Sequence, residues 1–167
     1  MTTTRKEFTQ NLIIDPKKYS FVVQKLREFC LDQGLVESHP QNRMSILAAC
    51  EDPCTIATVE YAGHKWPLPQ TGQMWLEYDM LTEKDEEAKG FFCVTTSYRN
   101  EPKPVKGRHD LVFPMFEFEI RGDYNALVNF CEGLLGHLGY DQSKFCYGDY
   151  VDVAKKLNTF EIEHEHE

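Results

Sequence analysis

Chemistry-bearing side chains crowd into one stretch of the 167-residue chain, FFCVTTSYRNEPKPVKGRHDLVFPMFEFEIR, from Phe91 to Arg121. It reads as two strands joined by a basic loop, and period-two alternation sorts its residues by face. In the first strand Cys93, Thr95, Ser97, Arg99 and Glu101 share one face, and Phe92, Val94, Thr96 and Tyr98 the other. In the second, Leu111, Phe113, Met115, Glu117 and Glu119 oppose an apolar set of Val112, Pro114, Phe116, Phe118 and Ile120. One side of the hairpin therefore gathers Arg99, three glutamates and an aromatic ring, while the other side is core. Carboxylates at that density repel unless a cation or a ligand organises them. In the loop, Lys103, Lys106, Arg108 and His109 surround Gly107, donors suited to phosphate oxygens. This face is a candidate nucleotide site; a hairpin with one solvated face shows the same alternation.

Other elements must position that hairpin. Asp15 can cap, and Pro16 fits the first turn of, a helix in which Phe21, Val22, Leu26, Phe29 and Cys30 recur at helical spacing. Gly34 stops it, and Leu35 to Pro40 reads as a short strand closed by proline. Ser45 to Ala49 is a short apolar piece of undetermined type. Thr55 to Tyr61 is strand-like, Ala62-Gly63 turns, and His64 to Leu68 returns toward Pro69. A helix then runs to about Leu81, followed by a solvated linker from Thr82 to Lys89. After the hairpin, Asp123 caps a helix with Leu127, Val128, Phe130, Cys131, Leu134, Leu135 and Leu138 as its buried face, ended by Gly139. Tyr147 to Leu157 reads as a loop and a short helix, with Val151, Ala154 and Leu157 inward. The last residues, Phe160 to Glu167, carry His164 and His166 among four glutamates and read as a charged tail rather than a metal site. Together these predict one α+β domain over residues 1–167, a mainly antiparallel sheet flanked by helices.

A net charge of −9 opposes binding to a polyanion, which needs clustered Lys and Arg. The basic loop is sized for one small ligand instead. The six cysteines include no C-x2-C pair, so they read as buried thiols with no metal site. No apolar run approaches the ~20 residues of a membrane span, and no signal peptide opens the chain. A cytoplasmic, reducing location is the expectation.

In order and spacing, Tyr98-Arg99-Asn100-Glu101, then Gly107-Arg108-His109, then Phe113 and Glu117 resemble motif 2 of the class II aminoacyl-tRNA synthetases, most closely the aspartyl/asparaginyl branch. The helix, glycine, strand and proline of residues 16–40 resemble motif 1, the dimer element of that family. Leu68-Pro-Gln70-Thr-Gly-Gln73-Met-Trp75 stands where that branch has a Gln-Ser-Pro-Gln segment. The resemblance implies a partial class II catalytic domain, truncated before motif 3, that uses ATP and Mg²⁺ to activate an amino-acid carboxylate as an acyl-adenylate. Arg99 would grip the α-phosphate and the carboxylate, and Glu101 would sit by the adenine amino group. Arg108 and His109 would reach the outer phosphates, Phe113 would stack on adenine, and Glu117 would complete the nucleotide side. Gln70 and Gln73 would contact the amino acid, and the 16–40 segment would form a homodimer.

Two departures matter. Val112 replaces the usual Glu before the Phe, and Leu76 replaces the Lys that meets a substrate side-chain carboxylate. Only residues 1–15 precede the first helix, too few for the ~50 residues of a separate tRNA-binding domain. The resemblance therefore favours a stand-alone asparagine-synthetase-like ligase over a tRNA ligase, with tRNA a disfavoured partner. The alternative is a non-catalytic dimerising or nucleotide-binding relic, since a motif 3 arginine is not among these residues.

Overall fold

The computed structural model describes residues 14–40, 53–83, 87–104 and 109–158. Lys106, Gly107 and Arg108 of the basic loop, the Ser45–Ala49 piece, the start of the chain and the His164/His166 tail lie outside the described residues. In order, the elements are α1 (Pro16–Asp32), β1 (Leu35–Glu37), a 3-10 turn (Pro53–Thr55), β2 (Thr58–Tyr61), β3 (His64–Pro67) and α2 (Gln73–Thr82). They continue with β4 (Gly90–Tyr98), β5 (Val112–Ile120), α3 (Tyr124–His137), a 3-10 turn (Gln142–Lys144) and α4 (Tyr150–Leu157).

The α+β expectation holds, with a mixed sheet ordered β1-β4-β5. β4 and β5 are antiparallel, with Cys93 opposite Glu117 and Ser97 opposite Phe113, so the two predicted faces align across the hairpin. β1 lies parallel to β4, with Val36 opposite Phe91. A parallel pair needs a long crossover, and here the chain between β1 and β4 carries β2, β3 and α2. β2 and β3 form a separate antiparallel ribbon.

Local chemistry sets these boundaries. Asp15 Oδ1 accepts from the backbone N–H groups of Lys17 at 2.9 Å and Lys18 at 3.0 Å, and Pro16 opens the helix. Gly34 follows α1 at φ +83°, a conformation that costs an L side chain. Gly90 starts β4 because a Cβ there would run into the carbonyl of Glu119 on the neighbouring strand.

As the central strand, β4 is buried from Gly90 to Cys93, and its two faces feed different clusters. Phe92 joins Phe29, Cys30 and Leu35, with Phe116, Phe118, Ile120, Phe130 and Leu134 packed against them. Phe92 stacks on Phe116 with centroids 5.4 Å apart and planes 20° apart. On the other face, Phe91 and Cys93 meet Leu76 of α2 and Ala88. The expected polar face is thus only half a polar face. α2 roofs its first part, and the polar part begins at Thr95.

Other expectations need correction. Arg99 lies just past β4 in a single bridge to Ile56, so the alternation does not reach Glu101. The face of α3 is narrower than its leucines suggest. No α3 residue is fully buried, and Leu127 and Leu135 are exposed, because only Phe130 and Leu134 reach the sheet cluster. In α4 only Ala154 is buried, while Val151 and Leu157 are exposed. In α1 the expected Phe29 and Cys30 are buried, but Phe21 and Val22 are exposed and Val23 is buried in their place. Cys54 and Cys146 are exposed, so the cysteines are not uniformly core. Among the described residues, no helix is long and apolar enough to cross a membrane.

Candidate functional site

Arg99 is held where the hairpin meets the β2–β3 ribbon. Its backbone N–H donates to Leu111 O at 2.7 Å, its Nε to Ser97 Oγ at 3.0 Å, and its Nη2 to Gln70 O at 3.4 Å. Ser97, fully buried, donates in turn to Gln70 O at 2.8 Å. The Gln70 side chain is also buried, and its Nε2 donates to Thr55 O at 2.9 Å and Thr55 Oγ1 at 2.8 Å. Backbone bonds from Asn100 to Thr55 (2.7 Å) and from Tyr98 to Pro69 (2.9 Å) close the knot. The root of the guanidinium is therefore fixed by groups from three segments. Gln70 Oε1 is left buried with no hydrogen-bond partner among the described residues. An orphaned buried acceptor costs about 1–3 kcal/mol.

A second cluster lies further along the same face. Glu117 Oε1 accepts from Thr71 Oγ1 and, at 3.0 Å, from the Gly72 N–H. Its Oε2 accepts from Gly72 N at 2.9 Å and from Thr95 Oγ1 at 2.6 Å, with Cys93 Sγ at 3.9 Å. Gln73, at the start of α2, donates through its backbone to Thr71 Oγ1 at 3.1 Å and through Nε2 to Glu77 Oε1 at 3.2 Å. Glu119 completes the cluster. Burial and then the Glu77 charge raise its pKa, the Glu117 charge adds to this, and a hydrogen bond with Gln73 opposes it. Burial, reinforced by the nearby carboxylates, pushes the Cys93 thiol up to about 12. The crowding that the sequence assigns to an external cation is met at Glu117 by the protein's own hydroxyl and amide donors.

Of the residues singled out in the sequence, Arg99 and Gln70 are in direct contact, and Gln73 and Glu117 are joined through Thr71 and Gly72. Phe113 sits across from Ser97 on the Arg99 side of the register. Glu101 is half-buried beyond the end of β4, and His109 is exposed where the loop returns. Arg108 lies outside the described residues. Leu76 is fully buried against Phe91 and Cys93, where a lysine charge could not be accommodated without a partner. Thr55, Thr71, Gly72, Thr95 and Ser97 were not legible as site residues. The hydroxyls at 95 and 97 share the alternation of Arg99, a usable signal, whereas nothing in the sequence marks Thr55. Near the start of α1, Ile14, Pro16, Tyr19, Thr96, Val112, Phe113 and Pro114 line a groove of about 400 Å³.

No protein-family model matches the chain, and no curated protein matches it. Solved structures do. Asparaginyl-tRNA synthetase from Pyrococcus horikoshii, complexed with asparaginyl-adenylate, superposes with a TM-score of 0.59 at 17% identity over 85% of this chain and 37% of that one. Entamoeba histolytica asparaginyl-tRNA synthetase gives 0.59 at 21% identity over 83% of this chain and 29% of its own. A putative aspartyl-tRNA synthetase from Leishmania major Friedlin gives 0.55 at 22% identity over 71% and 21%. The chain spans between about a fifth and a little over a third of the length of these three. The fold is thus like part of a class II aminoacyl-tRNA synthetase catalytic domain: a mixed sheet with the β4–β5 hairpin as its larger part and helices on both faces.

Proposed function

We propose that the chain binds ATP and an amino acid and activates the amino-acid carboxylate as an acyl-adenylate. The observation that carries this is Arg99, anchored by Ser97 and Gln70 at the end of the central strand, in a fold whose solved neighbours include two asparaginyl-adenylate complexes. A carboxylate oxygen attacks the α-phosphorus, a C–O–P linkage forms, and the bond to the β-phosphate breaks with loss of pyrophosphate. ATP supplies the adenylyl group.

The chain's part is positioning and electrostatics. Two anions must approach, and the Arg99 guanidinium, with several N–H donors in one plane, can bridge both. Its anchors hold that plane in place. The reading assigns Glu101, Arg108, His109 and Phe113 to the nucleotide, and Gln70 and Gln73 to the amino acid. Mg²⁺ on the ATP phosphates would neutralise their outer charge; among the described residues no three His, Cys, Asp or Glu side chains converge on a metal position. A homodimer through residues 16–40 is part of the same reading. Phe21 and Leu31 on α1 are 64% and 55% exposed, and Val36 on the edge strand is 47% exposed, an apolar surface suited to a second copy. The acyl acceptor is a small nucleophile rather than tRNA, consistent with the charge of −9.

The test is ATP–pyrophosphate exchange with each of the 20 amino acids in turn, alongside direct ATP binding. Exchange that depends on one amino acid and is lost in Arg99→Ala supports the reading. A folded chain that binds ATP without exchange supports the relic instead, and one that binds neither ligand overturns both.

A further inference from the structure

We propose that Glu117 is a positioning residue: its carboxylate latches the Gln70–Gln73 segment onto β4 and so sets where both glutamines stand relative to Arg99. The identity of the ligands rests on the reading above; the latch itself does not. Glu117 reaches across from β5 and takes donors from two other elements, Thr95 on β4 and Thr71 and Gly72 on the segment that enters α2. A carboxylate offers about four lone-pair sites. The two hydroxyls and the bifurcated Gly72 N–H occupy them, which leaves no oxygen for a nucleotide or its metal.

The close approach depends on residue 72 having no side chain. A Cβ there would lie 2.8 Å from Cys93 Sγ and 3.0 Å from Thr95 Cγ2. The segment is pinned at both ends: Gln70 O accepts from the Ser97 hydroxyl and the Arg99 guanidinium, and the Gly72 N–H donates to Glu117. Release of the Glu117 end displaces Gln73 most and leaves the loop side of the hairpin, with Glu101 and His109, in place. The consequence is a split. Amino-acid binding depends on Glu117, and ATP binding does not.

The experiment compares the wild-type chain with Glu117→Ala, Thr71→Val and Thr71→Ser. It measures hydrogen exchange of the Gly72 amide by NMR and the Kd of ATP and of L-asparagine by calorimetry. Loss of one charge-assisted hydrogen bond in Thr71→Val, and of all those to the carboxylate in Glu117→Ala, predicts Gly72 exchange at least about tenfold faster in both, with Thr71→Ser close to wild type. L-Asparagine binding weakens about tenfold in the same two variants, and ATP affinity stays within about twofold. Unchanged Gly72 protection in a folded Glu117→Ala chain overturns the latch. Loss of ATP affinity with L-asparagine binding intact overturns it too, and places Glu117 on the nucleotide. If wild type binds neither ligand, the proposed function fails while Gly72 exchange still decides the latch. If Glu117→Ala does not fold, the Thr71 valine and serine pair gives the same decision.

Discussion

Gly72→Ala adds one methyl group, and its effect can be worked from the structure. The backbone at residue 72 has φ −93° and ψ −6°, which alanine adopts freely, so any loss is steric. The new Cβ would meet Cys93 Sγ at 2.8 Å, Thr95 Cγ2 at 3.0 Å and Pro40 Cγ at 3.1 Å. Carbon contacts settle at about 3.5–4.0 Å, so every one of these is short by roughly 0.4 Å or more. Cys93 and Thr95 are buried in the central strand and have little room to swing, so the segment entering α2 must lift. Overpacking of this kind costs about 1–3 kcal/mol. The entropy lost by the unfolded chain on Gly→Ala offsets about 0.4–1 kcal/mol of it. A net loss of about 1–2 kcal/mol corresponds to a Tm lower by about 2–8 °C at this chain length.

Thermal and urea unfolding of Gly72→Ala, Cys93→Ala and the double variant form a cycle. With Sγ gone, the tightest contact disappears, so Gly72→Ala should cost about 1 kcal/mol less in the Cys93→Ala background. A Gly72→Ala chain as stable as wild type would refute the close approach. Strict additivity with Cys93→Ala would show that the sulfur is not what the methyl group meets.

Three further outcomes are expected. Phe92→Ala, which empties a fully buried site stacked on Phe116, should cost about 3–5 kcal/mol in urea unfolding; a loss below about 1 kcal/mol would mean that the hairpin faces are reversed. In the native protein, iodoacetamide should label Cys54 and Cys146, which are exposed, and spare Cys30 and Cys93, whose thiols burial pushes up to about 12. Peptide mapping by mass spectrometry reads this directly, and rapid native labelling of Cys93 would show that α2 does not cover it. Glu119 has a folded pKa raised above its usual 4.5, so its protonated form favours folding and stability falls as pH rises from 4.5 through the raised value. Glu119→Gln, neutral throughout, should therefore be more stable than wild type in urea at pH 7, with the gap closing as pH falls toward 4.5; a variant less stable at pH 7 contradicts the assigned crowding.

The hairpin was legible because its two strands obey one period over nine residues each, and the register that aligns Cys93 with Glu117 follows once Phe92 and Phe118 must share a core. Helix α1 was legible because Asp15, Pro16 and Gly34 mark its ends. The roof over Cys93 was not. Along α2, Gln73 to Thr82, apolar and polar residues are too scattered to show a face, so only the fold reveals that Leu76 points inward. Gln70, polar and just after Pro69, reads as a surface turn, and its burial depends on Thr55, a residue that no local pattern marks.

Glu117 shows the deeper limit. Its charge was visible, and the argument that crowded carboxylates need an organising partner was sound. Its partners proved to be two threonine hydroxyls and a backbone N–H 45 positions away, and every non-proline residue carries such a backbone donor, so sequence cannot single one out. Side-chain type announces that a charge must be satisfied. Whether a ligand or the chain itself satisfies it depends on long-range approach, here the absence of a Cβ at Gly72. At Arg99, too, long-range approach decides the geometry: the Ser97 hydroxyl and the Gln70 carbonyl, one of them 29 positions away, hold the guanidinium at the end of the central strand.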